Sequence, residues 1–228
     1  MKKAKAIFII QLKDVLRNYF VLMQFFTFPV MAFIMSNFGR TSELIQIPVI
    51  MFAALFSGLP PLMFTASAIA EGRERKSLRL LIMAGVKPNE YLLGIAGVTL
   101  FFCLIVVSIF GFIGGLAGLE FFRFIFIVML SCAASAIIGA TIGVSSKNHQ
   151  AAISLCKPIV MVLTLIPILA AYNDLLMQLA GFLYTYQVIV LLSDFSGNIT
   201  RSVLIILANM AILIAIFAIA YSKKGLRD

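Results

Sequence analysis

Six stretches of this chain stay apolar for close to twenty residues or more: 20–38, 47–70, 91–119, 124–144, 151–171 and 203–221. A helix needs ~20 such residues to cross the hydrocarbon of a bilayer. No water is available there, so every backbone N–H and C=O must be paired inside the protein, and a lone apolar run can only do that as a helix. The sequence is 62% hydrophobic and 12% charged, against ~25% charged residues in soluble domains. The expected fold is therefore all-α, a polytopic membrane protein with six transmembrane helices. A soluble enzyme or soluble binding module is excluded.

Charge placement gives the expected topology. With both termini inside, the inner segments hold fourteen of the eighteen bases: Lys2, Lys3, Lys5, Lys13, Arg17, Arg73, Arg75, Lys76, Arg79, Lys87, Lys147, Lys223, Lys224 and Arg227. Arg40, Arg123 and Arg201 fall outside and Lys157 lies within a span. Cytoplasmic loops collect Lys and Arg in this way. The formal charge of +9 thus marks loop ends, not one basic face, and nucleic acid is not expected as a partner. The stretch 175–192 is long enough to cross, but Gln178, Gly181, Thr185 and Gln187 interrupt it. A seventh span would also carry the basic tail outside. The reading is two short re-entrant helices within an outer region 172–200, the first capped by Asn173 or Asp174, with a break near Gly181 or Thr185.

Residues 1–19 predict a helix in the inner interface. Phe8, Leu12, Val15, Leu16 and Tyr19 recur at helical spacing, with Lys13, Asp14, Arg17 and Asn18 off that stripe. A signal peptide is not expected, because Lys13 and Asp14 interrupt the apolar run and no small-x-small site follows promptly. No segment has soluble-domain composition, so 1–228 reads as a single membrane domain.

Few residues suggest chemistry. Cys103, Cys132 and Cys156 lie inside apolar runs without a C-x-x-C pair and read as small buried hydrophobes. His149 is the only histidine, in the turn 145–150 with Lys147, and no metal-ligand spacing surrounds it. No acid lies deep in a span, which argues against a membrane-embedded enzyme and a proton-coupled carrier. Gly111 with Gly115, and Gly139 with Gly143, have the spacing that lets helices approach closely. Tight packing within one bundle is the plainer reading, a subunit interface the other. Lys157 is six residues into its run. It either snorkels to the interface or faces a cargo pathway, and Pro158 and Pro167 mark a kink or break nearby.

The connection 71–90 is the densest run of charge between two spans. Leu78, Leu81 and Ile82 form an apolar face on a short basic helix, with Gly85 suited to its end and Pro88 to the start of the next. Such a helix can dock into a groove on a cytoplasmic partner. Here the chain resembles the ABC-2 (type-2 ABC transporter) permeases, whose loop after the second span reads approximately Glu-x-Arg-Glu-x-Gly-Thr-Leu, then a Leu-rich turn, Pro-x-x-Pro and an aliphatic-Leu-Gly-Lys entry into the third span. Glu71, Arg73, Glu74, Ser77 (for Thr), Leu78, Leu81, Pro88, Leu93 and Gly94 match, while Lys76, Gly85 and Ile95 replace the Gly, the first Pro and the Lys. The interfacial helix, six spans and re-entrant helices are also similar to the family.

The resemblance implies a transmembrane subunit of an ATP-driven exporter in the cell membrane, with no catalytic residue of its own. The chain has no G-x-x-x-x-G-K-[ST], so ATP and Mg would belong to two copies of a separate cytoplasmic P-loop ATPase. A second permease subunit, identical or not, would complete the complex. The implied coupling residues are Glu71, Arg73, Glu74, Arg75, Ser77, Leu78, Leu81 and Ile82, with Lys147 and His149 in a secondary inner loop. Phe and Met richness suits an apolar or amphipathic cargo: a drug, a lipid or an amphipathic peptide. The alternatives are a stand-alone channel or immunity-type protein, and a subunit exporting polysaccharide or lipid-linked glycan.

Overall fold

A computed structural model describes residues 2–38, 42–75, 83, 85–170, 172–193 and 199–224. Among these residues the chain forms ten helices and no strand: α1 (Lys2–Arg17), α2 (Tyr19–Asn37), α3 (Ser42–Gly58), α4 (Pro60–Glu74), α5 (Pro88–Ile113), α6 (Gly118–Ser145), α7 (His149–Leu169), α8 (Asp174–Ala180), α9 (Tyr184–Ser193) and α10 (Ile199–Lys224). Six segments are long and apolar enough to cross a membrane: Tyr19–Asn37, Gln46–Glu74, Pro88–Ile113, Gly118–Ser145, His149–Leu169 and Thr200–Lys223. The protein is an all-α polytopic membrane protein.

The helix bounds shift four of the expected segments, each for a local reason. The third run stops at Ile113, not 119, because Gly115 takes a left-handed backbone (φ +66°) and turns the chain. Gly118 (φ +57°) then opens α6, six residues before the expected run, so that Glu120 and Arg123 lie in its first turns. The second crossing is not one helix. Pro60 and Pro61 lack N–H groups, so α3 ends at Gly58 and α4 starts at Pro60, with only Leu59 between them. Finally, α4 runs on through Glu74 and α5 begins at Pro88. The connection expected over 71–90 is thus shorter, and Glu71, Arg73 and Glu74 sit on the last turn of a spanning helix.

Glycine sets the closest approach in the bundle. A Cβ on Gly139 would overlap the Leu62 carbonyl oxygen, and one on Gly143 would overlap Ile69 and the Ala66 carbonyl. This pair lets α6 lie against α4 inside the chain. A Cβ on Gly111 would run into the Phe121 ring, but one on Gly115 would meet nothing within 4 Å, and Gly115 serves the turn. The second glycine pair is therefore not a packing stripe. Five phenylalanines from α2 to α5 interlock around Phe25, whose ring lies 6.1 Å from Phe56 and 5.6 Å from both Phe64 and Phe102, while Phe56 meets Phe110 at 5.8 Å. Other phenylalanines, such as Phe20, Phe33 and Phe126, point outward.

The re-entrant expectation can be checked by direction. The Tyr221 hydroxyl near the end of α10 bonds the Asn89 side chain at the start of α5 (3.0 Å), so α10 begins at the far end of the bundle, where α7 ends. Between them α8 and α9 meet at a 101° bend, entering from the far end and returning to it. Asn173 caps α8 by accepting from the Leu175 N–H (2.9 Å). At the bend the Gly181 carbonyl accepts from Gln187 (2.6 Å) and the Phe182 carbonyl from Asn209 on α10 (3.0 Å). Protein groups thus satisfy two carbonyls that the irregular turn leaves without helical partners.

Candidate functional site

The charged motif closes on the opposite, loop end of the bundle. α4 carries Arg73 and Glu74 on adjacent positions of its last turn. The Arg73 guanidinium donates to the Val144 carbonyl and, at 3.4 Å, to the Ser146 carbonyl. The last carbonyls of a helix have no partner within it and carry partial negative charge, so a guanidinium there both caps and neutralises the end of α6. Glu74 does the reverse. Its Oε2 accepts from the His149 N–H (2.9 Å) at the start of α7, where free amides and partial positive charge favour a carboxylate. Asn148 takes the Ala151 N–H (2.8 Å). Two neighbouring side chains on α4 thereby clasp both sides of the turn between α6 and α7.

The other expected residues divide around this clasp. Glu71 is bridged to Arg75 one turn on (2.8 Å), with Arg75 largely exposed and Glu71 half-buried. Lys147 is exposed on the turn itself. The His149 Nδ1 is buried without a hydrogen-bond partner. Ser77, Leu78, Leu81 and Ile82 lie outside the described residues. The Lys87 N–H donates to Glu90 (3.1 Å) at the restart of the chain into α5, and Gly85 has the left-handed backbone (φ +77°) that ends a helix. Lys157 is exposed on α7, as are Leu155, Pro158 and Met161.

α1 also reaches this end. Its Ile7 and Phe8 seat on Gly94 and Gly97 of α5, where any Cβ would crowd them. The final glycine of the motif is thus a seat for the N-terminal helix. Of the expected α1 stripe, Phe8, Leu12 and Val15 pack inward together with Ile7, but Leu16 and Tyr19 are exposed. α5 rotates the packing face toward Ile7.

A second polar arrangement lies midway through the bundle and was not expected from the sequence. Without an N–H on Pro61, the Ser57 carbonyl loses its helical partner. Ser135 of α6 donates to it instead. With that proton committed, the Tyr184 hydroxyl is the donor in its 2.6 Å bond to Ser135. Ser131 donates to the Ser57 hydroxyl (2.9 Å). In the same way Pro167 frees the Leu163 carbonyl, and Thr185 of α9 donates to it (2.7 Å). The carbonyls freed by Pro61 and Pro167 are thus each met by a hydroxyl from a different helix. Beside the Thr185–Leu163 contact lies a cavity of about 160 Å³ with an apolar lining that includes Met51, Ala54, Leu163 and Ile189.

No protein-family model matches this chain, and no curated protein does.

The clasp has no acid–base pair aimed at a reacting atom. Its parts are charge-assisted hydrogen bonds joining one helix to the ends of two others, which suits it to transmitting displacement. Among the described residues, no three His, Cys, Asp or Glu side chains gather as metal ligands.

Proposed function

We propose that the chain is the permease subunit of an ATP-driven ABC-2-type exporter in the cell membrane, with both termini cytoplasmic. Two copies of a cytoplasmic P-loop ATPase, holding ATP and Mg, would dock beneath it and a second permease subunit. The supporting observation is the clasp. A push on the connection 76–87 acts on the end of α4, and Arg73 and Glu74 link that end to α6 and α7. The same push acts on the start of α5, which seats α1. The motif that resembles the coupling loop of the family is thus tied into five helices. An ATPase that grips 76–87 differently in its two nucleotide states would bias two arrangements of the spans, as differential contact requires.

The cargo is apolar or amphipathic. The outward face of α2 offers Phe20, Met23, Met31 and Phe33, and unbranched Met side chains adapt to varied apolar shapes.

Co-purification with a P-loop ATPase, followed by a screen for compounds that stimulate ATP turnover in liposomes, tests the assignment. Leu78→Asp with Leu81→Asp is expected to leave insertion intact and to uncouple hydrolysis from export. Unchanged ATPase association and transport in that variant would overturn the coupling role. Retention of function with no ATPase present would overturn the exporter.

A further inference from the structure

α1 has two working faces, and the bundle uses only one. Ile7 and Val15 are buried, and Phe8 and Leu12 pack beside them. The opposite face is open and mixed. It presents Lys5, Lys13 and Arg17 together with Ile9, Ile10 and Leu16, the last three 42%, 51% and 54% exposed. Lys13 and Arg17 are one turn apart, and Lys5 is about two turns before Lys13. Asp14 is the only acid in the helix, whose sequence also carries Lys2 and Lys3 at its start. A face in plain water would not interleave three large aliphatic side chains with its cations.

The position of the face is fixed by the chain. α1 ends at Arg17 and the spanning helix α2 starts at Tyr19, with only Asn18 between. Consecutive Cα atoms are ~3.8 Å apart, so Arg17 cannot leave the mouth of a membrane-crossing helix. Cations at that level, with aliphatic groups between them, complement a layer of phosphates above hydrocarbon.

We propose that the open face of α1 is a binding surface for anionic phospholipid, which holds α1 against α5. Phosphates engage Lys5, Lys13 and Arg17, while Ile9, Ile10 and Leu16 enter the acyl region below them. The inner face stays seated on Gly94 and Gly97. The proposal does not depend on export or on an ATPase.

The chain has no tryptophan, so Leu16→Trp supplies a single reporter on the proposed surface. The variant is placed in phosphatidylcholine–phosphatidylglycerol vesicles in which one lipid or the other is brominated at equal mole fraction. Brominated phosphatidylglycerol is expected to quench the reporter at least about twofold more strongly. The preference should fall to parity in ~1 M salt, and also when Lys5, Lys13 and Arg17 are all changed to Gln. In lipid nanodiscs the parent should melt at a higher temperature with phosphatidylglycerol than without, because a ligand of the folded state stabilises it. The triple Gln variant should lose that difference. Equal quenching by the two lipids in low salt would overturn the proposal. So would an absence of quenching by either, the result for a face covered by protein or water.

Discussion

At the scale of single residues, glycine has three separate jobs here, and each answers differently to substitution. Gly139 is a contact: its missing Cβ makes room for a carbonyl oxygen of α4. Gly139→Ala is expected to cost about 1–3 kcal/mol, as overpacking does, with Ser no better. Gly115 is a conformation: a Cβ there would meet open space, but the backbone holds φ +66°. Gly115→Ala should cost ~1–2 kcal/mol, and Asn, which tolerates the left-handed region, should recover most of it. Reversible denaturation in mild detergent reads both. Gly94 is a seat: Gly94→Leu should displace α1 and leave the six spans, visible as protease cleavage within residues 1–18. The sequence shows the three glycines alike. Gly139-x-x-x-Gly143 could be read as close packing, but its partner, the α4 backbone, has no signature. Gly111-x-x-x-Gly115 has the same spacing and a different role, because spacing says nothing about φ.

At the scale of elements, the fold depends on broken helices whose loose backbone groups are mended from elsewhere. Pro167 removes the N–H that would bond the Leu163 carbonyl, and Thr185 on α9 supplies the donor. Thr185→Val should therefore destabilise by about 1 kcal/mol, the scale of hydrogen bonds between helices in membranes. In a Pro167→Ala background, α7 can supply its own N–H, and the cost of Thr185→Val should shrink. A double-mutant cycle measures the difference. These repairs explain why the spans were legible in the sequence and their joints were not. An apolar run of twenty residues states its own fate. The break at Pro60–Pro61 is tolerated because Ser135 lies against the freed carbonyl, 78 residues away in the chain. The clasp was half legible: Arg73 and Glu74 stood out as charges near a span. Their partners are a carbonyl and an amide 71 and 75 residues distant, which every residue type carries.

At the scale of the whole molecule, burial is uneven. The window in Gln46–Glu74 is 56% buried within the chain, but that in Thr200–Lys223 is only 6% buried. The crossing that carries Arg73 and Glu74 is thus the central one, and the last helix closes the structure from outside. Lys157 belongs to the exposed surface of α7. Lys157→Met is expected to change stability by less than ~0.5 kcal/mol and to alter cargo preference, as judged by which compounds stimulate ATP turnover. Equal loss of expression and activity would instead mark it as structural. The re-entrant pair α8–α9 has a consequence for how the protein is made. Its bend leans on Ser135 of α6, Leu163 of α7 and Asn209 of α10. The last of these leaves the ribosome only after α9 has already done so. The insertion machinery, which meets helices in order, therefore has no complete home for 174–193 when it emerges. We predict that the pair waits at the membrane surface and folds inward after synthesis ends. A chain stopped after residue 193 should leave Cys at position 188 (Val188→Cys) open to thiol reagents, and the full-length chain should shield it.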